Sequence, residues 1–264
     1  MDRLTIAAGR GPFDVVLRRW SDNKWATWAT GLIDRETAAL LALAEHDLPV
    51  PRLLAADRTG EQAGVPCLLM TALPGEPLFE PSDLPGVVRQ MANLLVRIHD
   101  IVPTGLESTD PHGFCKEVDR GWIGDPALAH AVTEAAAAAP PGGQQVLVHG
   151  DYLPLNVLWV DERLSGVVDW TYAGSGKREV DVGRCRLGLA VLFSPEVAEA
   201  FLRRYEAEAG LHIDPRADIR ALLAFGPSWL QFIPRQVAGR ARADGRGIVE
   251  RVESVLRTAA ARLG

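Results

Sequence analysis

The chain has 264 residues, of which 47% are hydrophobic and 23% charged, and its formal net charge at pH 7 is −6. That length suffices for one bilobal unit or two domains, and the negative charge argues against nucleic-acid binding, which relies on Lys and Arg to neutralise phosphates. Three widely spaced cysteines suggest neither a disulfide framework nor a zinc knuckle. Without an apolar run of roughly 20 residues or a signal-peptide core, no membrane partner is expected, and the cytoplasm is the expected location.

Residues 1–73 predict a small, β-rich lobe with one helix. Short apolar runs bounded by turn residues predict strands at 4–6, 13–17, 52–56 and 65–70. A Gly-containing connection, with Gly9 and Gly11, separates the first two strands. Asp34 is the predicted N-cap of a helix that runs to about His46, where a Pro-Val-Pro segment would end it.

From Leu73 onward the sequence becomes helical, which predicts a second, larger unit at 74–264. Apolar residues at helical spacing predict helices at 85–101, 127–139, 181–192, 195–209 and 248–263. Asp181 is the predicted cap of the third of these helices. His99, near the end of the first, is interpreted as a packed or capping residue and not as a catalytic one.

Between Val146 and Trp170 lie three polar residues at the spacing that phosphoryl transfer from a nucleotide requires. Asp151 and Asn156 share a short loop, and Asp169 ends the hairpin that follows. This chemistry needs a carboxylate that receives the hydroxyl proton, plus a carboxylate and an amide oxygen that hold Mg²⁺. We therefore predict Asp151 as the catalytic residue and Asn156 and Asp169 as metal ligands. Ordinary loop polar residues are the alternative, but the ordered set between matching strands argues against chance.

The segments H-G-D-Y-L-P-L-N and V-V-D-W resemble the catalytic loop and the metal motif of the aminoglycoside phosphotransferase and choline kinase superfamily, relatives of the protein kinases. The resemblance covers most of the chain. It implies an α+β, protein-kinase-like bilobal fold, with a small β-rich nucleotide-binding N-lobe at 1–73 and a larger, mainly helical catalytic and substrate-binding C-lobe at 74–264. It also implies ATP or GTP as co-substrate. Gly150 replaces the Arg that commonly reads activation-loop phosphorylation in protein kinases, which indicates an unregulated small-molecule kinase.

The resemblance also implies a nucleotide site in the N-lobe. Arg18 matches the cation that grips the phosphates, and Glu36 matches the helix carboxylate that pairs with it. Arg19 should point to the opposite strand face from Arg18. The alternative is that these charges simply face solvent. Thr71 and Leu73 match the hinge, where backbone groups would hold adenine.

Two further residues resemble supports of the family's catalytic loop. His149 is interpreted as fixing the loop by hydrogen bonding, and Asp181 as bracing it. The segment 1–6 matches the strand that follows the family's Gly-rich phosphate turn, so we expect either a start downstream of the natural one or a weak phosphate grip. A kinase-fold binding protein that has lost catalysis is therefore the alternative function.

The acceptor is expected to be the hydroxyl group of a small molecule. Candidate pocket walls are Trp122, Trp170, Tyr172, Trp229 and Phe232, and candidate anchors are Asp110, Asp119, Asp125 and Glu179. Aromatic residues in a helical lobe also commonly form core. The sequence leaves open whether the acceptor is an aminoglycoside, a macrolide, an amino alcohol or a sugar, whether the role is antibiotic resistance, and what the oligomeric state is.

Overall fold

The computed structural model describes residues 1–7, 11–21, 23–109, 120–138, 143–224, 226–240 and 247–263. Its first part is a four-stranded antiparallel sheet of order β1-β2-β4-β3. The strands are β1 (Asp2–Ile6), β2 (Phe13–Arg19), β3 (Leu53–Asp57) and β4 (Cys67–Thr71). β4 lies between β2 and β3, and its Cys67, Leu68 and Met70 are buried. All four predicted strands are present, and the predicted connection at Gly9 lies outside the described residues.

A single helix, α1 (Asn23–Leu43), packs against this sheet. The predicted start at Asp34 was wrong, because helical backbone begins about three turns earlier and Asp34 lies inside it. Asp34 instead pairs with Arg58 at 2.7 Å on the exposed side. The buried face of α1 carries Ala29, Ile33, Glu36, Leu40 and Leu43. A carboxylate therefore occupies one position of an otherwise apolar helical stripe.

The second part of the chain is mainly helical, with two small two-stranded ribbons. The helices are α2 (Leu84–His99), α3 (Pro126–Ala137), α4 (Glu179–Leu192), α5 (Pro195–Ala209), α6 (Pro215–Leu223), α7 (Trp229–Val237) and α8 (Ile248–Ala261). The strands are β5 (Val146–Val148), β6 (Val157–Val160), β7 (Arg163–Val167) and β8 (Gly174–Gly176). β5 pairs with β8, and β6 pairs with β7 across the predicted polar turn. The sequence did not predict β8, α6 or α7.

Helix α4 is the centre of the second part. It is buried from Val180 to Val191 and packs against α5, α6 and α8. A helix that is covered on all sides needs small residues where its neighbours approach closely. Gly183 fits this requirement, since an added Cβ would collide with the side chain of Ala221. Within the described ranges, no helix is both long and apolar enough to cross a membrane.

Candidate active site

A cleft of about 670 Å³ lies where β2 and α1 face the loops that follow β5 and β7. The N-terminal part contributes Arg18 and Trp20 to its lining, and the second part contributes Asp151, Asp169, Tyr172 and Arg184. The predicted proton acceptor, one predicted metal ligand and the predicted phosphate cation therefore share one cleft. These residues are separated by up to about 150 positions along the chain, as in the Arg18–Asp169 hydrogen bond.

The loop after β5 brings Asp151 and Asn156 together. A 3₁₀ turn at Pro154–Asn156 folds the chain back, so that Asn156 Nδ2 donates to the Asp151 carbonyl oxygen at 2.9 Å and to Asp151 Oδ2 at 3.1 Å. Both of these hydrogen bonds use the amide nitrogen, which leaves the Asn156 oxygen Oδ1 as the ligand group. The Val168 amide donates to the Asn156 carbonyl at 3.0 Å, which ties this loop to the residue before Asp169.

Burial raises the pKa of Asp151 to about 6, although the charge of Arg184 opposes the shift. The side chain keeps 18% of its surface exposed, so it can reach a bound molecule in the cleft. A carboxylate with a pKa near 6 is mostly ionised at pH 7 and is more basic than an ordinary aspartate. Both properties suit a group that accepts a proton at neutral pH.

Gly150 is required by the loop backbone. Its φ is +79°, and a Cβ at this position would collide with the carbonyl oxygen of Tyr172. Glycine adopts this left-handed conformation without steric cost. The backbone conformation at this position therefore explains why Arg is absent. The absence of Arg is weaker evidence for an unregulated kinase than the resemblance to protein kinases suggests.

His149 and Asp181 both hold the loop that carries Asp151 through hydrogen bonds. The buried His149 ring places Nε2 3.0 Å from the Val168 carbonyl, and its Nδ1 accepts from the Asp151 amide at 3.1 Å. This pattern assigns the proton to Nε2 in the neutral ring. Burial favours the neutral ring as well, because it lowers the pKa of His149. Asp181 lies in the first turn of α4, so the predicted N-cap was wrong; α4 begins two residues earlier.

The carboxylate of Asp181 instead accepts hydrogen bonds from the backbone amides of His149 and Gly150, at 2.7 and 2.8 Å. His99 Nε2 lies 3.1 Å away on the same carboxylate, and His99 Nδ1 lies 2.6 Å from the Tyr205 hydroxyl. Burial raises the pKa of Asp181, but the hydrogen bonds that the carboxylate accepts, from the His99 side chain and the His149 amide, help to outweigh burial and hold that pKa below its ordinary value.

We expect Asp181→Asn to lower the free energy of unfolding by about 3 kcal/mol, because one amide oxygen cannot satisfy three buried donors. A group with a lowered pKa stabilises the fold above its unfolded-state pKa and loses that contribution as the pH falls through the folded-state value. The variant should therefore also lose stability less steeply in acid. Denaturant titrations across pH, beside Asp100→Asn with its 67% exposed side chain, would measure both effects; equal stability of the two variants would contradict the bracing role.

Arg18, Glu36 and Asp169 form one charged cluster at the base of the cleft. Arg18 Nη1 lies 2.7 Å from Asp169 Oδ1 and 3.2 Å from Glu36 Oε2. Glu36 is 1% exposed and also accepts from the Trp170 amide at 3.2 Å. Burial raises the pKa of Glu36 to about 7 even though Arg18 opposes the shift. Arg18 and Glu36 are therefore paired and do not simply face solvent.

Arg19 has different partners. Its guanidinium pairs with Asp2 on β1 at 2.7 Å and is half exposed, with part of the side chain at the edge of the cleft. Adjacent residues of a strand point to opposite faces, which explains the separation from Arg18. Trp20, which the sequence analysis did not single out, packs its ring 5.1 Å from the Arg18 guanidinium.

The donor groups fit a magnesium ion. Asp169 has φ +68° and receives the Thr171 hydroxyl on Oδ1 at 2.6 Å, so its carboxylate is held at the cleft floor. Across the described part of the chain, no group of three or more His, Cys, Asp or Glu side chains forms a closed metal site. A carboxylate and an amide oxygen, completed by water and phosphate oxygens, are what Mg²⁺ accepts. Asn156 and Asp169 would hold the ion in that arrangement.

The predicted hinge residues lie between the two parts. Thr71 ends β4, and its hydroxyl accepts from the Arg52 amide at 2.8 Å. Leu73 packs beside Gly166 of β7, where an added Cβ would lie 2.7 Å from a Leu73 methyl carbon. Their contact with adenine stays a prediction.

The predicted substrate residues divide into core and cleft. Trp170 and Trp229 are fully buried, so their assignment as pocket walls was wrong. The Trp170 and His149 rings pack with their centroids 4.5 Å apart, and the Trp229 ring packs edge-on against the half-buried Trp122 with centroids 5.2 Å apart. Tyr172 and Phe232 do line the cleft.

Of the predicted anchors, Asp125 caps α3 and pairs with Arg257, whereas Glu179 lies in the first turn of α4. Asp110 and Asp119 lie outside the described residues. Sequence reasoning missed Arg184, Ser228 and Gln236, which also line the cleft. The one available signal was the three-residue spacing between Asp181 and Arg184, which places both on one face of a helix.

Comparisons with known proteins identify relatives in sequence and in fold. A homoserine kinase from Azorhizobium caulinodans is 28% identical over 145 residues, which are 48% of this chain and 42% of that protein. The chain spans less than half the length of the curated relatives it matches.

Two solved structures share the fold. The macrolide 2′-phosphotransferase from Brachybacterium faecium has 21% identity and a TM-score of 0.59, and the match covers 96% of this chain and 87% of that one. A thermostable mutant aminoglycoside phosphotransferase, solved with AMP-PNP and hygromycin B, has 16% identity and a TM-score of 0.60 over 97% and 93%. These matches confirm the predicted α+β, kinase-like fold. Residues 3–222 match the model of the Phosphotransferase enzyme family, and the chain belongs to that family.

Proposed function

We propose that the chain transfers the γ-phosphoryl group of ATP or GTP to a hydroxyl of a small molecule. The observation that carries the proposal is that Asp151, Asp169 and Arg18 line one cleft. Asn156 is hydrogen-bonded to Asp151, and Glu36 is paired with Arg18. The loose, highly charged transition state of phosphoryl transfer needs positioning and charge neutralisation more than covalent chemistry. The cytoplasm stays the proposed location, on the sequence grounds given above.

Each residue would have a separate task in this reaction. Asp151 would orient the acceptor hydroxyl and receive its proton, as its raised pKa and partial exposure permit. Arg18, held by Glu36, would bind phosphate oxygens with a permanently charged guanidinium. Bound Mg²⁺ would neutralise phosphate charge, and Asn156 and Asp169 are the side chains that would hold it. Thr71 and Leu73 would offer backbone groups to the base.

The relatives differ in the molecules that their names give, which include an aminoglycoside, a macrolide and homoserine. A direct test is therefore a panel of these three acceptor classes, an amino alcohol and a sugar, each with Mg-ATP and Mg-GTP. Nucleoside diphosphate release that depends on the acceptor, and a phosphorylated product by mass spectrometry, are expected for one class. Nucleotide binding without turnover on any acceptor would favour the catalytically impaired binding protein.

The metal assignment can be tested with a matched pair of substitutions. Asp169 and Asp161 both have left-handed backbone, with φ of 68° and 49°, and Asn tolerates this conformation. We expect Asp169→Asn to raise the dissociation constant of Mg-ATP by at least ~10-fold, since a lost charged contact costs roughly 1.5–3 kcal/mol. Asp161→Asn, on the hairpin turn, should leave it unchanged. Calorimetric titration with ATP, in the presence and absence of Mg²⁺, measures the dissociation constants. Equal changes in the two variants would contradict the assignment of Asp169 as a metal ligand.

A further inference from the structure

One face of helix α4 lies directly against the catalytic loop. Asp181, Arg184 and Gly188 follow one another at spacings of three and four residues, so they share that face. Asp181 accepts the His149 and Gly150 amides, and a Cβ at Gly188 would lie 2.7 Å from the Pro154 ring. The helix therefore contacts the loop on both sides of Asp151.

Arg184 is the member of this face that reaches the cleft. Its side chain is 3% exposed, its Nη1 donates to the Gly150 carbonyl oxygen, and the same nitrogen lies 3.6 Å from Asp151 Oδ1. Together with Asp181, it holds both the amide and the carbonyl group of Gly150. Arg184 also lines the cleft, together with Asp151 and Tyr172.

Burying a guanidinium is costly unless its charge is compensated, and the carboxylate of Asp151 provides compensation here. The contact also constrains Asp151 from a second direction. Asn156 donates to Oδ2 of this carboxylate, while Arg184 faces Oδ1. The two partners leave the carboxylate little freedom to rotate.

We propose that Arg184 is a positioning residue that fixes the Asp151 carboxylate in the orientation that accepts the hydroxyl proton. This inference rests on the proposed function. Arg184 itself stays bound to the loop and takes no proton. Small misplacements of a reacting group lower the chemical rate steeply, so the effect of losing Arg184 should appear in turnover and not in nucleotide binding.

The test uses the full chain and Mg-ATP hydrolysis, in which water is the acceptor, with the best acceptor of the panel as a second substrate. We expect Arg184→Gln to lower kcat by about 10–100-fold while the KM for Mg-ATP changes by less than about threefold. Arg184→Lys keeps the charge and should recover part of this loss. The matched control is Arg251→Gln on α8. Arg251 also donates to a backbone carbonyl, with its Nη1 3.1 Å from the Phe193 oxygen.

A double-mutant cycle separates positioning from a structural role. If Arg184 acts through Asp151, Arg184→Gln should have no further effect on kcat in an Asp151→Asn background. Additive losses, or losses of kcat and melting temperature that match those of Arg251→Gln, would overturn the proposal. If Arg184→Gln does not fold, a wild-type kcat in Arg184→Lys would overturn it as well. Parental turnover in Asp151→Asn alone would remove the premise that Asp151 accepts the proton, whereas the absence of Mg-ATP turnover by the parent chain, with water and with every acceptor, would refute the proposed function itself.

Discussion

Asp151→Asn is expected to lower turnover by about 10²–10⁴-fold, the range that a general base contributes, while Mg-ATP affinity stays close to that of the parent chain. The asparagine keeps the size of the side chain but cannot accept a proton. Its single amide oxygen can face Asn156 or Arg184 but not both, while Asn156 still donates to the carbonyl oxygen of residue 151 and Asp181 still accepts from the His149 and Gly150 amides. The loop should therefore stay in place.

The measurement is steady-state kinetics with the acceptor found by the panel, combined with nucleotide titration of the same variant. Asp100→Asn is the control for an aspartate on the surface. Turnover near that of the parent would remove Asp151 from the mechanism. A parallel loss of nucleotide affinity would show that the substitution disturbs the loop and not only the proton transfer.

The candidate catalytic residues could be identified in the sequence because their spacing is local. Asp151 and Asn156 lie on one short loop, and Asp169 follows after a hairpin whose two strands and polar turn are legible in the sequence. Arg18 and Glu36 required the family resemblance, since nothing local in the sequence pairs β2 with α1. Glu36 does occupy a buried position within the apolar stripe of α1. A carboxylate at a core position of a helical pattern is a sign, visible in the sequence, that this residue has a specific partner.

Other features depend on tertiary contacts that local patterns do not encode. Asp34 has the residue type of an N-cap, but capping preference cannot tell a helix start from an exposed interior position. Trp170 and Trp229 are apolar enough for a wall or a core, and only the packing places them in the core. Arg184 meets Gly150 from 34 positions away along the chain. α7 contains Pro234, and because proline normally breaks a helix, the sequence does not predict a helix there.

Substitution of Arg18 in the charged cluster is expected to have a large effect on nucleotide affinity. Arg18→Ala removes the cation that would bind phosphate oxygens, so the dissociation constant of Mg-ATP should rise by about 10–100-fold, equivalent to roughly 1.5–3 kcal/mol. Arg19→Ala is the matched control, because its guanidinium is half exposed and pairs with Asp2. It should change the affinity by less than about twofold.

The substitution also leaves the carboxylates of Glu36 and Asp169 without their shared cation, so stability must be measured alongside affinity. Because the pKa of Glu36 is already about 7, this carboxyl can take up a proton and avoid an isolated buried charge. The double variant Arg18→Ala with Glu36→Gln removes that complication and should bind Mg-ATP as weakly as Arg18→Ala alone. Parental affinity in the double variant, or a greater loss in Arg19→Ala, would place the phosphate grip elsewhere in the cleft.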